Sequence, residues 1–444
     1  MRLERSQTRV VEKEAKGEGN GDKALHGVKG TKLTRREVLK AAGTGLGGLF
    51  ILPSCGSGGQ QGGSSDTITF GAALSLTGEL AKEGKLTRDG YNFYKEWINA
   101  HNGIKADGKS YKVDVKVYDD QSDPDQAAQL YQRLITQDDI MFLLGPYGSS
   151  ATLQSAVISE KRKLPMVEAN GASTEIFQQG YKYIFGVLSP APKYLQPVLD
   201  VAANQTGSNA PKRVALIADN DSFSLDVSKG ARDYAKSKGF EVVADETVPE
   251  GANDVTAVLT GVKRQKPDIL LGSGHFSSSV LIIKSARSVG LNAKMYGFSV
   301  GPSVPDFENS LGKAANYVFG ATQWTADLEY EDPLFGTAKE YSDNFQKSFD
   351  YAPDYHVAES TAGCYALQLA IEKANSLDPK EVRDALVGLD AQTFYGQIKF
   401  DESGKNIYKP MAAEQWQGDK KVTVWPEASA PAPAKYPTPP WNQR

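Results

Sequence analysis

Ser149 and Ser150 follow a short apolar run, Met141–Gly145, and open a helical pattern that runs to Lys163. Hydroxyls and unpaired backbone N–H groups converge at such a point, where an anion is favoured. Serine is also a preferred helix cap, so the same pair has a purely structural reading. Asp119, Asp120, Asp123 and Asp125 could suggest a calcium loop. Pro124 stands where such a loop needs glycine, and no correctly spaced glutamate follows, so they read as a strand-end turn and a helix cap. Two cysteines, Cys55 and Cys364, and four widely separated histidines give no zinc pattern. There is no G-x-S-x-G elbow and no G-x-x-x-x-G-K phosphate loop. Gly43-Thr44-Gly45-Leu46-Gly47-Gly48 satisfies G-x-G-x-x-G, but no strand precedes it and it falls within a segment read below as cleaved. The expectation is a binding surface with no cofactor and no metal.

The elements that would position these residues alternate. From Thr67, β-rich runs at Ile68–Ser75, Lys112–Tyr118, Met141–Gly145 and Met166–Glu168 are interleaved with helical patterns near Leu86–His101, Asp125–Gln137 and Ser150–Lys163. A second series runs through Arg213–Ala218, Leu225–Lys238, Glu241–Glu246, Val255–Gln265, Ile269–Gly272, Val280–Val289 and Met295–Phe298. Strand-helix alternation argues for parallel sheets, and two such sets imply an α/β chain of two doubly wound lobes, each with a ligand-facing edge at the carboxyl ends of its strands. Helical stretches at Leu334–Phe349, Val357–Ala374 and Glu381–Leu386 and strand-like runs at Gln397–Phe400 and Met411–Gln415 are expected to complete the lobes by crossing between them through a multi-strand hinge. The bounds expected are 67–188 with 322–393 for the first lobe and 189–321 with 394–425 for the second. A Pro/Ala-rich tail, 426–444, should wrap the surface.

The chain has 444 residues, 40% of them apolar, enough for two or three domains. Its formal charge is −4, and the first 54 residues carry 11 Lys/Arg against 6 Asp/Glu, so the remainder is distinctly acidic. A nucleic-acid partner is therefore not expected. At most one disulfide could form, so stability must come from packing. Residues 1–54 read as an export signal: a charged opening, Arg35-Arg36 resembling a twin-arginine pair, then an uncharged run from Ala41 to Pro53, too short to span a bilayer. Leu52-Pro53-Ser54-Cys55 resembles a lipobox that would lipidate Cys55, and residues 55–66 form a Gly/Ser/Gln-rich tether. The mature protein is thus expected to be exported and anchored to the outer face of the cytoplasmic membrane, in the periplasm or at the cell surface. A cleaved secretory signal with a coincidental cysteine is the plainer alternative.

Ala73-Leu74-Ser75-Leu76-Thr77-Gly78, Asp119-Asp120 before Asp123-Pro124, and Gly145-Pro146-Tyr147-Gly148-Ser149-Ser150 resemble, in order and spacing, the type I periplasmic binding proteins of the leucine/isoleucine/valine-binding family. The likeness runs from Ile68 to about Trp416. It implies a monomeric hinged flytrap that closes on a small molecule and delivers it to the permease and ATPase subunits of an ABC importer, with no enzymatic step. Closure buries polar ligand groups and needs preorganised partners. The resemblance implies a ligand carboxylate at Ser149 and Ser150, and a head-group grip by the loop holding Asn170, Ala172 and Ser173, otherwise a plain turn. It further implies a covering aromatic at Phe223, otherwise core, and a contact at His275, otherwise structural.

The segment Gly297-Phe298-Ser299-Val300 matches the place where branched-chain amino acid binders carry an acid for the ammonium group, and no acid is there, although Ser299 remains a candidate contact. Glu83 and Glu168 are candidate substitutes, though glutamates are more often at the surface. Tyr147 and Trp324 could form an aromatic wall. The expected ligand is an amino acid, an amide or an aromatic acid. The alternatives are a ligand-sensing receptor subunit of the same fold, or an enzyme on doubly wound lobes, since fold alone does not decide function.

Overall fold

The computed structural model of the protein describes residues 66–444. Arg35, Arg36, Cys55 and the segments read as signal and tether lie outside the described residues. In the first lobe the strands are β1 (Thr67–Leu74), β2 (Ile104–Ala106), β3 (Lys109–Asp119), β4 (Phe142–Leu144), β5 (Met166–Glu168) and β6 (Ile184–Gly186). They form one sheet of order β2-β3-β1-β4-β5-β6, parallel except for the β2-β3 pair. Helices α1 (Ala81–Ala100), α2 (Pro124–Thr136) and α3 (Ser149–Arg162) connect them. After α4 (Gln196–Ala203) the second lobe adds β7 (Arg213–Asp219), β8 (Glu241–Val248), β9 (Ile269–Ser273), β10 (Met295–Phe298) and β11 (Val318–Thr322). Its helices are α5 (Ser222–Ser237), α6 (Thr256–Arg264), α7 (Phe276–Val289) and α8 (Asp306–Leu311).

The chain continues through two hairpins, β12 (Glu331–Asp332) with β13 (Gly336–Thr337) and β14 (Asp390–Thr393) with β15 (Gly396–Lys399). Between them lie α9 (Ala338–Phe349), α10 (Tyr355–Ala374) and α11 (Pro379–Val387). Antiparallel β16 (Ala412–Gln417) and β17 (Lys420–Trp425) then extend the second sheet, whose order is β17-β16-β11-β10-β9-β7-β8. Largely apolar strands such as β9 and β10 are buried throughout, as parallel strands covered on both faces must be. Helix α10 packs against α1 and is buried from Tyr355 to Gln368, so its weak amphipathicity reflects a helix with neighbours on every side.

Three crossings join the lobes and are stitched together. Ser189 N–H donates to Gln323 Oε1 at 3.0 Å, Gln323 Nε2 donates back to Ser189 O at 3.2 Å, and the Ser189 hydroxyl donates to Lys409 O. The architecture is the expected pair of doubly wound lobes on a multi-strand hinge. Some elements differ. Helix α1 begins at Ala81 rather than near Leu86, because Gly84 in its first turn sits so close to Ser75 O that a Cβ would lie 2.0 Å away, and a glycine forced by packing interrupts the helical pattern. The run Gln397–Phe400 contributes β15 to a local hairpin and joins neither large sheet, and β11, α8 and β17 were not foreseen. The tail is extended and lies on the second lobe. Thr438 N–H donates to Lys294 O at 2.8 Å, and Trp441 Nε1 donates to Leu291 O at 2.6 Å. No helix among the described residues is long and apolar enough to cross a membrane.

Candidate functional site

Strand β4 ends at Leu144, and the chain reverses through Gly145-Pro146-Tyr147-Gly148 into α3. Two buried tyrosines pin the turn, Tyr91 Oη donating to Gly145 O at 3.0 Å and Tyr131 Oη to Leu144 O at 2.5 Å. Gly145 cannot carry a side chain, since a Cβ would stand 1.9 Å from Glu168 Oε2. Gly148 precedes the helix at φ +90°, a conformation other residues avoid, and supplies no side-chain cap. By contrast Asp123 caps α2, as the sequence suggested, and Asp221 caps α5. The first-turn N–H groups of α3 thus lack a side-chain acceptor, and the cap reading of the serine pair is set aside: Ser149 already lies inside the helix, and its hydroxyl accepts from Ser173 N–H at 3.0 Å.

Glu168 builds the neighbouring loop rather than facing a ligand. Its Oε1 accepts from Asn170 N–H at 2.5 Å and Gly171 N–H at 2.7 Å, while Oε2 lies 2.8 Å from the Thr152 hydroxyl, which itself lies 2.8 Å from Gly148 O. Burial pushes its pKa up to about 7 despite these donors. A protonated Glu168 completes the chain, donating to Thr152, which donates to Gly148 O.

Two voids meet at Tyr147 and His275 between the lobes. The outer one, about 260 Å³, is walled on the first lobe by Glu79, Tyr147 and the Gly148–Ala151 start of α3, and on the second by Asp221, Glu250 and His275. Its volume is close to the lower end for small-molecule pockets, about 300 Å³. Asp221 uses Oδ1 to cap α5, at 2.9 Å from Phe223 N and 3.0 Å from Ser224 N, and its buried Oδ2 has no partner. Burial would lower the His275 pKa, but Asp221, Glu83, Asp219 and Glu250 outweigh it and raise it above the ordinary value. Burial also raises Glu250, and pushes Asp219 up to about 6.

The inner void has room for about 10 Å³, no more than one water. Tyr147 and His275 wall both voids and separate them, the Tyr147 hydroxyl lying 3.0 Å from His275 Nδ1. Behind this partition stand Asn170, Tyr194, Phe223, Tyr355, His356 and Glu359. Asn170 is held by Thr87 at 3.0 Å and Ser360 at 3.2 Å.

The structure therefore brings Ser149, Ser150, Tyr147, Asn170, Phe223 and His275 to these cavities. Ala172, Ser173, Ser299 and Glu83 line neither. Ala172 O accepts from Ala191 N–H at 2.8 Å, Ser173 Oγ accepts from Glu175 N–H at 3.3 Å, and Ser299 Oγ bridges Gly274 N and O at 3.1 and 3.0 Å. Glu83 is neither in a loop nor at the surface. It is buried in the first turn of α1, and Oε1 crosses to the second lobe to accept from Phe276 N–H, the start of α7, at 2.9 Å. Trp324 is core, its Nε1 donating to Phe394 O at 2.9 Å, so the aromatic wall beside Tyr147 comes from Tyr194, Phe223 and Tyr355 instead. Sequence reasoning missed Asp221, Glu250, Tyr194, His356 and Glu359 as cleft residues. Only Tyr355 and Glu359 left a trace, since residues four apart share a helix face.

The profile of the family described as periplasmic binding protein matches residues 67–421. Leu/Ile/Val-binding protein homolog 7 of Brucella melitensis is 24% identical over 393 residues, covering 84% of this chain and 95% of that relative. The branched-chain amino acid transporter substrate-binding protein LivJ of Streptococcus pneumoniae, solved with isoleucine, matches at a TM-score of 0.70 and 22% identity, covering 80% of this chain and 97% of that one. An ABC transporter solute-binding protein of R. palustris, solved with benzoate, matches at 0.68 and 18%, covering 83% and 98%. These structural likenesses speak to the fold, and the proteins named are binding proteins rather than enzymes. Two doubly wound lobes on a three-crossing hinge, a polar cleft between them and a profile match from the first strand to the last hairpin together mean that the chain belongs to the extracytoplasmic type I periplasmic binding proteins, in their leucine/isoleucine/valine-binding branch.

Proposed function

We propose that the protein is the membrane-anchored, solute-capturing subunit of an ABC importer, lipidated at Cys55, and that it takes an amino acid by closing its first lobe, 67–188 with 322–393, against its second, 189–321 with 394–425. One observation carries the ligand class: a single cavity is walled on one side by the uncapped start of α3 and on the other by Asp221, whose second oxygen is buried without a partner. The first favours a carboxylate and the second an ammonium group, so the two walls complement a zwitterion. Asp221 thereby takes the place of the acid absent at 297–300. The isoleucine and benzoate bound by the two solved relatives are both carboxylates, which agrees with an anion subsite at Ser149 and Ser150.

The test is a calorimetric and thermal-shift screen of the purified protein against amino acids, amides and aromatic acids, repeated on Asp221→Asn. Asparagine still caps α5 while the charge is lost, so ligand-free melting should hold. Losing a charge-assisted hydrogen bond of about 1.5–3 kcal/mol should weaken amino acid binding about 10- to 100-fold. Unchanged affinity in the variant would remove Asp221 as the ammonium partner.

A further inference from the structure

We infer that the ligand carries a net positive charge, and that its cationic end enters the inner pocket bounded by Tyr147, Tyr194, Phe223, Tyr355 and Glu359. This rests on the amino acid reading and narrows it to side chains bearing a cation.

Three observations support it. The first is charge balance. Glu79, Asp221 and Glu250 wall the outer cavity and Glu359 the inner one, while among the described residues no lysine or arginine lines either, leaving His275 and His356 as the titratable bases. A zwitterion satisfies one carboxylate, and one additional positive charge offsets another.

The second is the shape of the inner pocket. Its rings form a continuous belt: Tyr194 and Phe223 at 5.1 Å between centroids, Phe223 and His275 at 5.5 Å, His275 and Tyr147 at 5.5 Å, Tyr147 and His356 at 5.7 Å, and His356 and Tyr355 at 4.0 Å. Aromatic faces attract a desolvated cation. An aliphatic chain would use the same rings but would gain nothing from the acid among them.

The third is the unmet polar capacity at the pocket floor. His356 Nδ1 lies 2.7 Å from Asp354 Oδ2, which places a proton on Nδ1 and, in the neutral ring, leaves Nε2 as an acceptor. Nε2 is buried and has no partner, so it lacks a donor. Glu359 stands one helical turn from Tyr355, with Oε2 accepting from the Tyr395 hydroxyl at 3.2 Å. Burial and the nearby Asp354 hold its pKa well above the ordinary range, with Glu168 acting in the same direction and Tyr395 and Lys409 against it. An ammonium or guanidinium group donating to His356 Nε2 and Glu359 favours the carboxylate form of Glu359. Because the closed, ligand-free pocket has room for about one water, the arm enters while the lobes are apart and the Tyr147–His275 contact is broken.

The experiment is calorimetry on the purified protein with lysine and arginine, their neutral counterparts norleucine and citrulline, and leucine, isoleucine and benzoate. The expected result is that lysine or arginine binds at least about ten-fold more tightly than its neutral counterpart. Glu359→Gln, checked for unchanged ligand-free melting, should bring the charged-to-neutral ratio close to one. If that variant does not fold, the wild-type comparison of lysine with norleucine and of arginine with citrulline decides. Equal binding of neutral and charged partners overturns it, as does a preference that survives in Glu359→Gln. A response to leucine or isoleucine without one to lysine or arginine overturns it while leaving amino acid capture standing. A response to benzoate alone, or to none of the amino acids, overturns both readings.

Discussion

Among single residues, Glu168 has the most to do with keeping the cleft in shape, and it does so by being out of reach of solvent. It gathers the second loop onto itself and, through Thr152, fixes the turn that presents α3. Its folded-state pKa, pushed up to about 7, lies above the ordinary glutamate value of about 4.3. An acid raised on folding binds its proton more tightly in the native state, so its stabilisation is complete below about pH 4 and is lost as pH rises to about 7. Asp120 and Asp219, both pushed up to about 6 mainly by burial, act in the same direction over a lower window. Urea unfolding of the ligand-free protein should therefore show these groups reducing stability from about pH 4.5 to 7. Glu168→Gln keeps the Oε1 acceptor and should flatten the pH 6–7 part of that slope. A slope identical to wild type there would mean that Glu168 is ionised throughout.

At the scale of elements, the three helices facing the cleft differ in how they begin. Helices α2 and α5 are capped by aspartates, whereas α3 is preceded by a glycine that leaves its N–H groups available. Capping is for stability and its omission is for binding. Asp123→Ala should cost about 1 kcal/mol of unfolding free energy in denaturant melts, with ligand affinity unchanged, because Asp123 itself lines neither cavity. A large loss of affinity would instead tie the Asp119–Asp123 turn to the ligand. Asp119 also receives Leu76 N–H at 3.1 Å and Thr77 N–H at 3.2 Å, so that turn holds the loop ahead of α1 in place.

At the scale of the whole molecule, the lobes are closed on each other by their own contacts. Glu83 accepts from Phe276 N–H, Tyr147 meets His275, Thr174 donates to Asp226 from N–H and hydroxyl, each at 2.8 Å, and Lys82 pairs with Asp306. The exposed lysine pair contributes little. The buried glutamate, facing the positive end of α7, contributes more. A tie such as Glu83 to Phe276, if kept once the ligand is in place, adds to the stability of the closed, bound state and so raises apparent affinity. Glu83→Ala should enlarge the ligand-free radius of gyration in small-angle scattering and weaken apparent affinity about 10-fold or more, with the ligand-bound radius unchanged. If ligand-free scattering is the same with and without Glu83, the tie does not govern closure.

Two α/β lobes, the succession of strands and helices within each half, the turn at Asp119–Asp123 and the serine pair at the head of α3 were legible in the sequence because each depends on local patterning: alternating runs, a cap next to a proline, a strand feeding a helix. The cleft itself was not. Phe223 was singled out as a covering aromatic, but nothing in the sequence marked Asp221, Tyr194 or Glu359 as cleft residues. Glu83 and Ser299, singled out beforehand, serve a tie between the lobes and a loop brace. The physical reason is that a binding surface assembled from both halves has no period along the chain. Which oxygen is left without a donor, and which ring faces a void, follows from how the hinge brings segments more than a hundred residues apart into contact, and only the tertiary structure decides that.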